Sequence, residues 1–309
     1  MNRRLATVSI AIAVAVLVTV GLLLPMVAAQ EQVQERGYEK NDFKNITGEH
    51  GPGFGDDMNN YPWGMEKFEG DLYVSTGRNV PGEVFKTRFE EEIFGWTKAA
   101  DPQTNVTKYR KDMSAGIWRR DGKTGKWERV YKDPIDSKVY IGFRTLKEFN
   151  GKLYAGVGKN YYFSDSNGTP LLLSSEDGEN WSRADTEGIP DVVSNTRALA
   201  VHNGKLYLGS FDEGRRTAAV YVTENPAEGW GKVFSYKGGN EAVSLETFND
   251  RLYVGTVNIV NGYKIFRSNS SEPSLGNWTR VVRAGAGSNE NWMAGTMETF
   301  EGHLYVGSM

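Results

Sequence analysis

Phe68-Glu69-Gly70-Asp71-Leu72-Tyr73-Val74-Ser75-Thr76 decides the fold, because four close copies follow it. They are Phe149–Val157 (FNGKLYAGV), His202–Ser210 (HNGKLYLGS), Phe248–Thr256 (FNDRLYVGT) and Phe300–Ser308 (FEGHLYVGS). Each copy sets a tight-turn pair between an aromatic residue and an alternating apolar run. That is the pattern of two strands joined by a hairpin. A period of about 50 residues made of short strands and turns predicts a β-propeller.

The unit from Glu241 to Arg283 shows the expected blade. Ala242–Phe248 reads as a first strand and Arg251–Val257 as a second, separated by Asn249-Asp250. Asn261-Gly262 is a further turn signal. Tyr263–Ser268 reads as the third strand and Trp278–Val282 as the fourth. Gly116–Arg119, Leu171–Ser175 and Ala219–Thr223 are the matching third strands, and fourth strands begin at Trp127, Trp181 and Trp230. The four tryptophans are expected to be largely buried between blades. Leu and Tyr of each copy fall on opposite faces of their strand, and both faces are expected to be covered by neighbouring blades.

The two ends of the chain match each other. Phe43-Lys44-Asn45-Ile46 followed by Gly51–Gly55 parallels Trp278-Thr279-Arg280-Val281 followed by Ala284-Gly285. The expected fold is therefore an all-β propeller of about five four-stranded blades over residues 43–309. An N-terminal strand, Phe43–Thr47, is expected to close the last blade beside Met293–Met309 and remove the open edge. That blade still lacks a third strand, so it is either short or belongs to a truncated chain.

Residues 1–30 stand apart. Arg3 and Arg4 precede a run from Leu5 to Ala29 that is apolar except at Thr7, Ser9 and Thr19, and Val27-Ala28-Ala29 suits cleavage. This is the composition of a signal peptide, and the run is also long enough for an N-terminal membrane anchor. Residues 31–42 form a linker. The expected location is extracellular or at the cell surface, with membrane contact only through the N-terminal segment. Six Asn-x-Ser/Thr sequons, at Asn45, Asn105, Asn167, Asn180, Asn269 and Asn277, agree with surface turns of an exported chain.

The chain has no cysteine, so thiol chemistry and disulfides are excluded and the core alone must hold the fold. Its net charge is −3, or −5 without Arg3 and Arg4, which argues against a nucleic-acid partner. A monomer is expected.

The unit F-x-G-x-L-Y-V-G followed by Ile-Trp-Arg or Ile-Phe-Arg-Ser, then Trp, resembles an uncharacterised group of exported archaeal and bacterial β-propeller repeat proteins. The likeness runs from Phe43 to Met309. Ser175-Glu176-Asp177-Gly178-Glu179-Asn180-Trp181 resembles the Asp-box of sialidase-like propellers, apart from the glycine directly after Asp177. Asp121-Gly122 before Trp127 is a degenerate copy. The Asp-box implies a turn held by Ser and Asp side chains, not a catalytic centre. The resemblance carries no activity to this chain.

Candidate site residues come from aligning the first strands on their last residue, Phe in four copies and His202 in one. Five residues before it stand Trp63, Arg144, Arg197, Val243 and Gly295. Strand direction puts these near the upper mouth of the channel, where first strands begin. Two arginines and a tryptophan there suit a carboxylate or a sugar, and Asn60 lies beside them. Salt bridges within the ring are the competing role for the arginines. Two residues before the same landmark stand Glu66, Lys147, Ala200, Glu246 and Glu298, toward the lower end, where Lys147 is expected to hold the carboxylates.

Two loops complete the list. The first two Leu-Tyr pairs are 81 residues apart, against 53, 46 and 52 for the rest, so the loop over 77–113 is much the longest. Val84, Phe85, Arg88, Phe89, Glu92 and Ile93 have the spacing of a short amphipathic helix. This loop is expected to be either a lid over the mouth or a packed decoration. Gly51–Tyr61, with Asp56, Asp57, Asn59 and Asn60, could bind Ca2+ through oxygen ligands but lacks the spacing of a metal loop; no other cofactor is expected.

With three histidines, one of them in the core copy, a Ser-His-Asp system or a His-based zinc site is poorly served. The expected function is non-catalytic binding of a glycan, peptide or protein partner at the upper face. The alternative is an extracellular carbohydrate-active enzyme, a glycoside hydrolase or lyase working with paired carboxylates alone.

Overall fold

The computed structural model describes residues 44–56, 58–78, 115–132, 140, 142–158, 171–212 and 217–309. The chain divides into Met1–Ile46 and Thr47–Met309. Only the end of the first unit is described. The expected leader, the linker, the helix over 84–93 and Asp57 lie outside the described residues. Among the described residues no helix is long and apolar enough to cross a membrane.

The second unit is an all-β, propeller-like array. Its strands are β1 (Asn59–Phe68), β2 (Asp71–Arg78), β3 (Ile117–Arg120) and β4 (Trp127–Tyr131); then β5 (Gly142–Phe149), β6 (Lys152–Gly158), β7 (Leu172–Ser175) and β8 (Trp181–Arg183). The third set is β9 (Val193–His202), β10 (Lys205–Asp212), β11 (Thr217–Thr223) and β12 (Gly231–Lys237). The fourth is β13 (Ala242–Phe248), β14 (Arg251–Thr256), β15 (Ile265–Ser268) and β16 (Trp278–Val282). β17 (Ala294–Phe300) and β18 (His303–Ser308) follow as a two-stranded sheet. All pairings are antiparallel, and the first strands lie side by side in the order β1, β5, β9, β13, β17.

The recurring hairpins follow from their turn residues. Glu69-Gly70, Asn150-Gly151, Asn203-Gly204, Asn249-Asp250 and Glu301-Gly302 all have positive φ at both positions. That is the two-residue turn whose twist matches that of the flanking strands.

Aromatic and aliphatic residues of successive sheets then meet face to face. Phe68, Tyr73 and Ile117 pack with Phe143, Leu146 and Leu153 of the next unit. Phe149 and Tyr154 pack with Leu199 and Leu208, and Ala200 and Tyr207 with Leu245 and Val254. Hydroxyls fix the same seams: Ser75 Oγ donates to the Phe143 carbonyl and Ser244 Oγ to the Ala294 carbonyl, each at 2.7 Å.

Three expectations are corrected. The closing strand over Phe43–Thr47 does not form: residues 44–47 carry no strand, Phe43 lies outside the described residues, and the β17–β18 sheet has two strands. A fourth strand needs a third strand as its hydrogen-bond partner, and β18 pairs with none among the described residues. The tryptophans are not equally buried. Trp230 is 6% exposed, whereas Trp127, Trp181 and Trp278, also at the outer edges of their sheets, are half-buried. Finally, Tyr305 of the last copy is 54% exposed, against 2% for Tyr73.

The likeness between the two ends holds in the turns. Asn59 Nδ2 donates to the Gly53 carbonyl and Asn291 Nδ2 to the Gly285 carbonyl, each at 2.9 Å. Both glycines have positive φ, and the residues after them, Phe54 and Ala286, share it.

Candidate binding site at the head of the first strands

The candidate residues share a backbone feature that alignment did not reveal. Each first strand carries a β-bulge at the same place. The register skips from Pro62 to Gly64, from Phe143 to Thr145, from Thr196 to Ala198, from Ala242 to Ser244 and from Ala294 to Thr296. The skipped residues are Trp63, Arg144, Arg197, Val243 and Gly295. A bulged residue has no ladder partner, and its strand bends so that the side chain is re-aimed. A second bulge in β1 skips Asn60, whose side chain lies outside the described residues.

After the bulge in β1 the next first strand comes close. A Cβ on Gly64 would stand 2.8 Å from the Leu146 nitrogen of the next strand. The residues after the other bulges are Thr145, Ala198, Ser244 and Thr296.

Trp63 and Arg144 are brought together. The Arg144 guanidinium carbon lies 4.2 Å from the centroid of the Trp63 ring, a cation–π contact between neighbouring sheets. Tyr61 stacks on Trp63 with ring centroids 5.7 Å apart and planes 20° apart, and it is 43% exposed. Trp63 is also wedged against backbone. Gly77 and Gly142 pair across the two sheets, and a Cβ on either would run into the indole. Arg197 goes elsewhere, pairing through Nε with the carboxylate of Glu241, the residue that leads into β13. Arg197 thus takes the ion-pair role considered for the arginines, and the Arg144 guanidinium lies over the Trp63 face.

Tyr61 and Glu241 both stand seven residues before the aligned landmark, one turn of alternation above the bulge. Alignment at that second register would have found them. Of the loop over 77–113, Gly77 and Arg78 end β2, and the rest lies outside the described residues.

Asp56 is engaged. It accepts a bond from Arg78 and one from the Met58 amide at 3.0 Å. Burial raises the Asp56 pKa, but these bonds and the Arg78 charge outweigh it and leave the group below its ordinary value. Among the described residues no three acidic or histidine side chains are grouped to hold a metal.

At the lower end, Lys147 Nζ lies 3.0 and 3.2 Å from the two Glu66 carboxylate oxygens, the pairing expected there. Burial is the main cause that pushes the Glu246 carboxyl up, and the charge of Glu298 adds to it; hydrogen bonds from Thr299 and the Lys147 charge work against the rise. His202, in place of the aligned Phe, is buried with Nε2 2.8 Å from the Ser271 carbonyl and Nδ1 3.2 Å from Thr247 Oγ1. Both ring nitrogens are therefore spoken for within the core.

Asp177 is tied into its own turn. The carboxylate accepts from Ser175 Oγ and from the amides of Glu179 and Asn180, at 3.0, 2.9 and 2.7 Å, which holds its pKa far below the ordinary value. Asp121 likewise accepts from the Lys123 and Thr124 amides. These carboxylates are tied into turns and are not poised for chemistry.

No protein-family model matches the sequence, and no curated protein is similar to it. Among solved structures, the chain is similar to Zg3597, a family 117 glycoside hydrolase of the marine bacterium Zobellia galactanivorans. The likeness has a TM-score of 0.42 and 13% identity over 71% of this chain and 67% of the other.

Proposed function

We propose that this protein is a non-catalytic propeller of about five blades that binds a glycan at the upper mouth, with Tyr61, Trp63 and Arg144 as its core contacts. The observation that carries this reading is the placing of the bulges: three of the five unpaired positions hold Trp, Arg and Arg. The bulge itself serves the fold, since Val243 and Gly295 occupy it too. Its occupants in the first two units go further, forming a stack that ends in an exposed tyrosine.

An exposed aromatic edge offers a sugar ring an apolar face, and a guanidinium beside it offers paired donors to hydroxyls or a carboxylate. Arg197, at the equivalent bulge of the third unit, and Asn60, at the second bulge of β1, complete the proposed contact surface. An export signal over residues 1–30 fits a ligand met outside the cell.

A glycan-array screen of the exported protein, with hydrolysis of any bound glycan followed in parallel, tests the reading. Binding without turnover is expected. Turnover of a bound glycan would transfer the assignment to a hydrolase or lyase, and binding to no glycan would remove it.

A further inference from the structure

The tyrosine of each Leu-Tyr pair starts a row of residues opposed across the second, third and fourth strands, and the row differs between repeats. In the first repeat Tyr73 stands opposite Arg119, and Arg119 opposite Glu128. In the third the row is Tyr207, Val222 and Gly231, and in the fourth Tyr253, Arg267 and Thr279. In the second repeat it is Tyr154, Ser174 and Ser182, a hydroxyl on each strand. Directly opposed residues share a face of the sheet, with Cβ atoms about 4.5–5.5 Å apart. The three hydroxyls therefore stand side by side on the face toward the third repeat. Leu172 and Ala184, two residues from Ser174 and Ser182, pack into the core shared with that repeat.

The seam between the first and second repeats shows how this space is filled elsewhere. Arg119 hydrogen-bonds the Tyr73 hydroxyl, lies 3.3 Å from Glu128 and pairs with Glu179 of the next repeat. A turn of that repeat presses on the same hydroxyl, since a Cβ on Gly178 would collide with it. In the next seam Ser174 takes the place of the arginine. The turn of the third repeat, at Pro226 and Ala227, then leaves a cavity of about 520 Å3 over the row. Pockets of ~300–1,000 Å3 are those that hold small ligands. Tyr154 is only 5% exposed, yet among the described residues no group hydrogen-bonds its hydroxyl. The same is true of the Ser174 and Ser182 hydroxyls. A buried hydroxyl needs a partner, and for Tyr154 that partner must come from what enters the cavity.

Charges at the rim balance. Lys152 lies 2.8 Å from Glu176, and Arg183 stands two residues from Asp185. The floor is made of groups that each donate and accept, and Pro226 and Ala227 add carbon surface. A neutral ring bearing several hydroxyls answers both needs. We propose that this seam is a saccharide site, in which one hexose unit lies against Pro226 and Ala227 and exchanges hydrogen bonds with Tyr154, Ser174 and Ser182. It is separate from the upper mouth and stands whether or not the mouth binds a glycan.

The test titrates the isotopically labelled full chain with D-glucose, D-galactose and D-mannose and follows backbone amide shifts by NMR. Saturable shifts at Ser174, Ser182 and Ala227 are expected with at least one hexose. Tyr154→Phe removes one hydroxyl and should weaken that binding roughly threefold or more, the effect of one lost hydrogen bond. Ser174→Arg rebuilds the arrangement of the first seam and should abolish binding in a protein whose amide spectrum stays folded. Tyr154→Phe decides the case if Ser174→Arg does not fold. No shift at these amides with any of the three sugars overturns the proposal, as does unchanged affinity in Tyr154→Phe. Shifts confined to Trp63 and Gly64 would place the hexose at the upper mouth, overturning the seam site while supporting the glycan reading. Shifts at the seam with inorganic phosphate and with no hexose would make it an anion site and overturn the saccharide assignment.

Discussion

Gly142 shows how a single residue couples the fold to the proposed site. It pairs with Gly158 in its own sheet and with Gly77 in the preceding one, and the Trp63 indole lies where its Cβ would be. Gly142→Ala should therefore push the indole outward and separate it from Arg144. The expected cost is roughly 1–3 kcal/mol, the range for overpacking, with a change in tryptophan fluorescence. A variant with parental melting and emission would show that Trp63 is not wedged there. At the opposite end, Glu246 makes a pH prediction. Its folded pKa lies above the unfolded value of 4.5. The folded state thus holds this proton more tightly, and the resulting stability is present below pH 4.5 and lost as the pH rises through the folded value. Glu246→Gln should flatten that part of the pH–stability curve and raise the melting temperature at pH 7. A lower melting temperature at pH 7 would mean that the Lys147 charge outweighs burial.

The strands explain both what the sequence disclosed and what it withheld. The hairpins were legible because Asn-Gly and its variants state their turn type directly, and alternation around Leu-Tyr states which faces are buried. The bulges were not legible. A bulge is a mismatch between two strands, so it cannot be seen in either alone. Alignment still reached Trp63, Arg144 and Arg197, because a repeated bulge keeps its register from copy to copy. It could not tell that Arg197 would turn to Glu241, since that contact joins two registers. The tryptophans that open the fourth strands belong to this scale too. Trp230 Nε1 donates to the Asp185 carbonyl at 3.0 Å and Trp278 Nε1 to the Val233 carbonyl at 2.9 Å, each reaching the preceding sheet. Trp230→Ala should cost roughly 3–5 kcal/mol in chemical denaturation, and the half-buried Trp127 less. Equal losses at the two positions would show that burial does not set their contribution.

Across the molecule, the repeat divides labour between its two ends. The lower end is bonded up: Lys205 bridges Glu224 and Glu272 at 3.1 and 2.9 Å, Lys152 meets Glu176, and Lys147 meets Glu66. At the upper end the bulged positions hold Trp63, Arg144, Arg197, Val243 and Gly295, a different set in each unit, and on a repeat scaffold function is carried by such grafted residues and not by the fold itself. The failure of the expected closing strand has a cause at this scale. The matching turns at Gly53 and Gly285 show the sequence relation to be real, but a strand forms only where a neighbour supplies its ladder. The measurement that bears most directly on the account is the glycan affinity of Tyr61→Ala beside Arg144→Ala, with the melting temperature of each. Tyr61 is exposed, so its truncation should leave melting within about 0.5 kcal/mol of the parent while weakening binding at least tenfold, and Arg144→Ala should weaken binding comparably. Parental affinity in both variants would contradict the assignment of the upper mouth as the binding site.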